Sequence, residues 1–111
     1  MFCDVFRPVD ESDEMSKKAY LMALVNVHDV QAYETYKQLS SVALSRYRAV
    51  VLARGGRSQS LEGSINVGRV ALFEFASYEQ AQLFYDSPEY QAAKQARAGV
   101  AEMNFVLVDG I

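Results

Sequence analysis

Two strand–helix–strand units in succession constrain this chain more than any other feature. The clearer unit is carried by Arg69–Ile111. A short apolar strand, Val70-Ala71-Leu72-Phe73-Glu74-Phe75, runs into a helix opened by Ser77. Ser87-Pro88-Glu89 announces a second helix, and the apolar run Phe105-Val106-Leu107-Val108 closes the chain. The other unit spans Ala19–Gly55. With 111 residues, the chain suits one compact domain and is too short for two.

Ala19–Val27 (AYLMALVNV) is apolar on both alternating faces, the pattern of a strand covered on both sides. Asp29 is placed to cap a long helix, in which Tyr33, Tyr36, Ser40, Ala43, Leu44 and Tyr47 recur at three- and four-residue steps as one buried stripe. Ala49–Arg54 reads as a second strand, followed by Gly55-Gly56, a pair that predicts a bulge or sharp bend. Arg57–Glu62 is predicted to continue that strand beyond the bend, with Gly63–Gly68 as a hairpin loop. Arg69–Phe75 is the third strand, with Val70, Leu72 and Glu74 on one face and Ala71, Phe73 and Phe75 on the other. Ser77-Tyr78-Glu79-Gln80 has the form of a capping box. Asp86-Ser87-Pro88 then interrupts the helix, and Ser87 and Pro88 restart it as N-cap and first residue. Gly99 is well placed as a left-handed stop, and Ala101–Val108 is the last strand.

Charge is unevenly placed. The first fourteen residues hold five acids against Arg7 alone, leaving nine acids against ten bases in the remainder. Residues 1–18 therefore read as a flexible acidic tail and 19–111 as the domain. Met15-Ser16-Lys17-Lys18 looks like an ordinary protein start, so the preceding residues read either as an upstream extension or as a misassigned start. A near-neutral body without a basic stripe argues against nucleic acid as partner. Cys3 is the only cysteine, which excludes an intramolecular disulfide and fits a reducing compartment. No apolar run approaches the ~20 residues that span a bilayer, and no secretory signal pattern opens the chain, so no membrane role is expected and cytoplasm is the expected location.

The order β-α-β-β-α-β predicts an α+β fold: a four-stranded antiparallel sheet with its helices on one face, the ferredoxin-like arrangement. Those helices cover one side only, yet the first, second and last strands are apolar on both. The bare face exceeds what a monomer tolerates exposed, so the expected partner is a second copy of the chain, packed through that sheet face.

Several segments resemble the domain-of-unknown-function family 1330: Tyr20–Val27, the Tyr33/Tyr36 helix, Leu52-Ala53-Arg54-Gly55-Gly56, Leu61-Glu62-Gly63, Phe73-Glu74-Phe75, the run Phe84-Tyr85-Asp86-Ser87-Pro88-Glu89-Tyr90-Gln91 and the closing Val108-Asp109-Gly110. The resemblance implies a homodimeric member of the dimeric α/β barrel superfamily. It brings no reaction, because that superfamily includes small monooxygenases, isomerases, haem-dependent enzymes and ligand-sensing domains.

Polar residues on strands are the candidates for chemistry in a cavity between sheet and helices. Arg54 ends an apolar strand before a glycine bend, where it would clamp the anionic group of a small ligand. Glu74, among apolar neighbours, and Glu62, in the segment expected to pair back toward the third strand, are the candidate proton-moving groups. Tyr85, on the inward stripe of the second helix, or Tyr20 would orient the ligand. The competing reading pairs Arg54 with Glu62 or Glu74 to fix the bend alone. His28 reads as a surface-loop residue, Arg69 as a solvated strand end, and Tyr33, Tyr36 and Tyr47 as core and cavity lining. No metal-ligand cluster, phosphate loop or nucleophile elbow is present in the sequence, and no cofactor is called for. The sequence therefore points to a homodimeric small-molecule-binding protein, in one version a cofactor-free enzyme acting on a small acid or carbonyl compound. The alternatives are a non-catalytic ligand-sensing or assembly module and a haem-dependent or monooxygenase-like enzyme.

Overall fold

The alternating apolar segments assemble into one sheet in the computed structural model, which describes residues 17–111. Strand β1 (Ala19–Val27) leads to helix α1 (Val30–Arg46), strand β2 (Val50–Arg54) and strand β3 (Arg69–Phe75). Helices α2 (Tyr78–Asp86) and α3 (Pro88–Ala96) and strand β4 (Ala101–Asp109) complete the chain. The sheet order is β2-β3-β1-β4 and every strand pairing is antiparallel, the ferredoxin-like order expected from the element sequence. The acidic tail and Cys3 lie outside the described residues, apart from Lys17 and Lys18.

Local chemistry fixes the helix ends. Asp29 Oδ1 accepts from the Ala32 amide at 3.0 Å and Ser77 Oγ from the Gln80 amide at 3.0 Å, each satisfying an orphan donor. The Gln80 side chain does not return to Ser77 to complete the box; its amide donates to the Tyr47 carbonyl at 3.4 Å. Ser87 is buried between α2 and α3 and serves both. Its hydroxyl donates to the Phe84 carbonyl at 2.7 Å and accepts from the Tyr90 amide at 3.0 Å. Pro88, lacking an N–H, sits where none is needed. The end of α1 is less usual. The Ala49 amide donates to the Leu44 carbonyl and the Arg48 amide to the Ser45 carbonyl, with Arg48 left-handed at φ 60° in the place where glycine is preferred.

Strand alternation sorts residues onto two faces. Leu21, Ala23, Val25, Phe73 and Phe75 meet Tyr36, Leu44, Ala81, Phe84, Tyr90 and Ala93 from the helices in one buried core. Phe84 and Tyr90 are 2% and 1% exposed, their rings 5.0 Å apart. The other face carries Tyr20, Met22 and Leu24 on β1, flanked by Glu74, Leu72 and Val70 on β3 and by Val108, Val106 and Asn104 on β4. No described helix covers it, and Met22, Val106 and Val108 are 41%, 56% and 55% exposed.

One expectation is corrected, and another is met as the sharp bend at Gly55. Strand β2 ends at Arg54, and residues 55–68 form an exposed loop rather than a strand continued through Glu62, because Gly55 turns left-handed at φ 76° and directs the chain off the ladder. A bulge also falls before the glycine pair. Val51 pairs with Phe73 but Ala53 with Leu72, so Leu52 is an extra residue that inverts the alternation of β2.

Candidate functional site

That inversion positions the first candidate side chain. Without it, Arg54 would share the bare face with Val50. With it, Arg54 stands opposite Ala71, on the helix side, and its Nη2 donates to Ser41 Oγ on α1 at 3.1 Å. Arg69 reaches the same side because it pairs with Val25, and its guanidinium lies 5.7 Å from the Tyr33 ring centre. Gly68, just before Arg69, is left-handed, and a side chain there would run into the Val25 carbonyl. Lys37 of α1 completes a cationic rim, bridged to Glu34 at 2.9 Å.

These cations border a cavity of about 280 Å³ between the sheet and helices α1 and α3. Its inner wall is aromatic: Tyr33, Tyr36, Tyr90, Phe73, Phe84 and Phe105. Tyr33 and Tyr36 stack at 5.3 Å, and the Tyr36 and Tyr90 hydroxyls hydrogen-bond at 2.9 Å in the interior. Among the described residues no aspartate or glutamate lines this cavity, and neither Arg54 nor Arg69 forms an ion pair with a carboxylate.

The hydroxyls are held protonated. Burial pushes Tyr36 well above the ordinary tyrosine range, and the neighbouring Tyr90 adds to the effect. Burial also raises Tyr90, against the opposing influence of the Tyr36 hydrogen bond and of Arg97. Tyr33 is raised by burial, while the positive charges of Arg69, Arg54 and Arg97 pull it back. The cavity therefore offers hydrogen-bond donors and positive charge to an acceptor. It offers no carboxylate or imidazole to take a proton.

The five residues singled out in the sequence fall in different places. Arg54 lines the cavity. Tyr85 lines a separate hollow beside α2, under the ammonium of Lys94 at 5.3 Å. Tyr20 and Glu74, expected in the helix-side cavity, are cross-strand partners on the bare face, where the Tyr20 hydroxyl donates to Glu74 Oε2 at 3.0 Å. That hydrogen bond, with some burial, raises the Tyr20 pKa. The reason is parity: Phe73 and Phe75 turn inward, so Glu74 between them must turn outward. Glu62 is exposed in the 55–68 loop, and the expected Arg54–Glu62 and Arg54–Glu74 pairs do not form. His28 is an exposed bend residue, 3.7 Å from the Glu102 carboxylate. Arg69 was legible in the sequence only as a strand end. What marks it is its register opposite Val25, which needs the β1–β3 pairing.

Among the described residues no cluster of three metal-ligating side chains occurs, and no helix is long and apolar enough to cross a membrane. No curated protein matches the chain. Among solved structures, a protein of unknown function from Rhodopseudomonas palustris is similar, with TM-score 0.70 and 17% identity, covering 95% of both chains. A dimeric protein of unknown function and ferredoxin-like fold from Bacteroides fragilis gives TM-score 0.57 at 16% identity, covering 84% of this chain and 96% of that one. SnoaB, a cofactor-independent oxygenase from Streptomyces nogalater, gives TM-score 0.59 at 10% identity, covering 86% and 95%. At such identities the likeness is one of fold alone. The sequence itself places the chain more closely: residues 18–111 match the profile of a domain of unknown function, DUF1330, and the chain belongs to that family.

Proposed function

We propose that this protein is a homodimeric binder of a compact organic anion, held in the helix-side cavity with its charged group between Arg54 and Arg69. The observation that carries the reading is the composition of that cavity: cations and protonated tyrosines at the rim and wall, an aromatic interior, and no described carboxylate. A guanidinium with no anionic neighbour is a ready partner for a carboxylate, which it can hold by two parallel hydrogen bonds. The volume lies just under the roughly 300–1,000 Å³ usual for ligand pockets, which favours a small, flat or branched body. The dimer is supported by the apolar bare face and by the dimeric relatives.

A proton-moving role for Glu74 or Glu62 needs a carboxylate beside the ligand. Glu74 lies on the far side of the sheet and Glu62 in the loop, so binding is the better-supported activity and catalysis the finer, second claim. The test is calorimetric titration with benzoate and, as its neutral counterpart, benzamide. Benzoate is expected to bind and benzamide to bind at least about tenfold more weakly, with Arg54→Gln and Arg69→Gln each costing benzoate roughly tenfold. Equal affinity for acid and amide, or indifference to both substitutions, would overturn the reading.

A further inference from the structure

A second hollow of about 290 Å³ lies beyond Met103 and Phe105, which it shares as a wall with the first. It is bounded by α2 and the outer part of β4, with Leu21, Ala81 and Leu107 as apolar walls and Tyr78 and Gln82 at its edge. Arg97, the residue that ends α3, also lines it. The Arg97 guanidinium sits 6.0 Å from the Tyr36 ring, and its Nε is shielded from solvent and meets no hydrogen-bond acceptor among the described residues. An N–H of a charged group left dry and unpaired is costly, and it marks the Arg97 head group as short of acceptors. No described carboxylate lines this hollow either.

We infer that this hollow is a second ligand site, taking an apolar monocarboxylate with a branched aliphatic or single-ring body, whose carboxylate docks on the guanidinium of Arg97, the one charged group in its lining. A guanidinium presents parallel N–H donors at the spacing of the two carboxylate oxygens. The apolar body then lies against Leu21, Phe105 and Leu107. The site is independent of the Arg54–Arg69 pair and stands or falls separately from it.

Methyl-resolved NMR of the full chain tests this with phenylacetate as probe and phenylacetamide as its neutral control. Leu21 and Leu107 report on this hollow alone, Val25 and Leu44 on the first cavity alone. Saturable shifts at Leu21 and Leu107 are expected in the wild-type protein and in the double variant Arg54→Gln/Arg69→Gln, at least about tenfold weaker with the amide. Arg97→Gln is expected to abolish them and to leave the Val25 and Leu44 signals responsive. Should Arg97→Gln fail to fold, Leu107→Trp fills the hollow from the strand side with Arg97 in place, and the same loss is expected. Leu21 and Leu107 signals that do not move, that move equally in Arg97→Gln, or that vanish with the Arg54/Arg69 variant would overturn the inference, as would a Leu21 signal that moves equally in Leu107→Trp.

Discussion

The two faces of the single sheet differ in kind. On the helix side, aromatic rings surround a cavity whose charged groups are all basic. On the bare side, aliphatic side chains surround the hydrogen-bonded pair Tyr20 and Glu74, with Asn104 farther along β4. Neighbouring residues on one strand thus serve separate purposes: Phe73 packs against the helices while Glu74, one position on, faces away. The contrast shows that in a sheet of this size the chemistry of a position is set by its parity, and that one extra residue, Leu52, is enough to carry a cation from one face to the other.

The contrast can be broken at several points. The largest effect is expected on the helix side, where Phe84→Ala removes a ring packed against Phe75 and Tyr90 and should cost about 3–5 kcal/mol in chemical denaturation. A loss under 1 kcal/mol would mean that the aromatic wall is not the core. On the bare side, Met22→Asp and Val106→Asp probe self-association. If a second copy covers that face, each is expected to shift light scattering from dimer to monomer at micromolar protein, because an unpaired charge would be buried. In a lone subunit such substitutions fall within about 0.5 kcal/mol.

Inserting one alanine between Ala53 and Arg54 tests the sorting itself, because it sets Arg54 opposite Val70 in place of Ala71. Arg54 would then share the side of Glu74, and benzoate binding is expected to fall by as much as in Arg54→Gln, roughly tenfold, while helix content by circular dichroism stays unchanged. Retained binding would show that Arg54 does not hold the ligand.

The protonated tyrosines give a pH signature. Their folded pKa values lie above the ordinary 10.0, so above pH 10 the unfolded chain loses protons that the native state keeps. Their contribution to stability is therefore complete below that pH and declines as pH rises past it. Tyr36→Phe should flatten that decline while lowering stability at neutral pH by about 1–2 kcal/mol, since Tyr90 loses its hydroxyl partner. The smallest effect is a gain. Arg48→Gly relieves a left-handed residue at the end of α1 and is expected to add a few tenths to about 1 kcal/mol.

Much of the fold was legible in local sequence. The alternating runs, the caps at Asp29, Ser77 and Ser87, and the Pro88 restart are short-range signals whose physical cause lies within four residues. The site was less so. The alternation around Glu74 separates two faces without saying which one the helices choose; that is decided by Phe73 and Phe75 finding Phe84 and Leu21. The phase of Arg54 depends on a bulge two residues earlier whose residues, Val51 to Ala53, carry no turn signal of their own. Arg69 and Arg97 have meaning only through the tyrosines they approach, Tyr33 from β3 and Tyr36 from the turn after α3, contacts that no local pattern announces.

The exposed stretch between Gly55 and Gly68 is tied down at both ends. The Gly55 amide is fixed to the Val70 carbonyl at 2.9 Å, and Arg54 stays in register with Ala71. The spacing of the two arginines is therefore set by the ladder and not by the length of chain that joins them. A fluorophore, an epitope or a short foreign segment could be grafted near Ser60 or Ser64 with the register of Arg54 and Arg69 left intact, which makes this stretch a natural handle for labelling the protein beside its helix-side cavity.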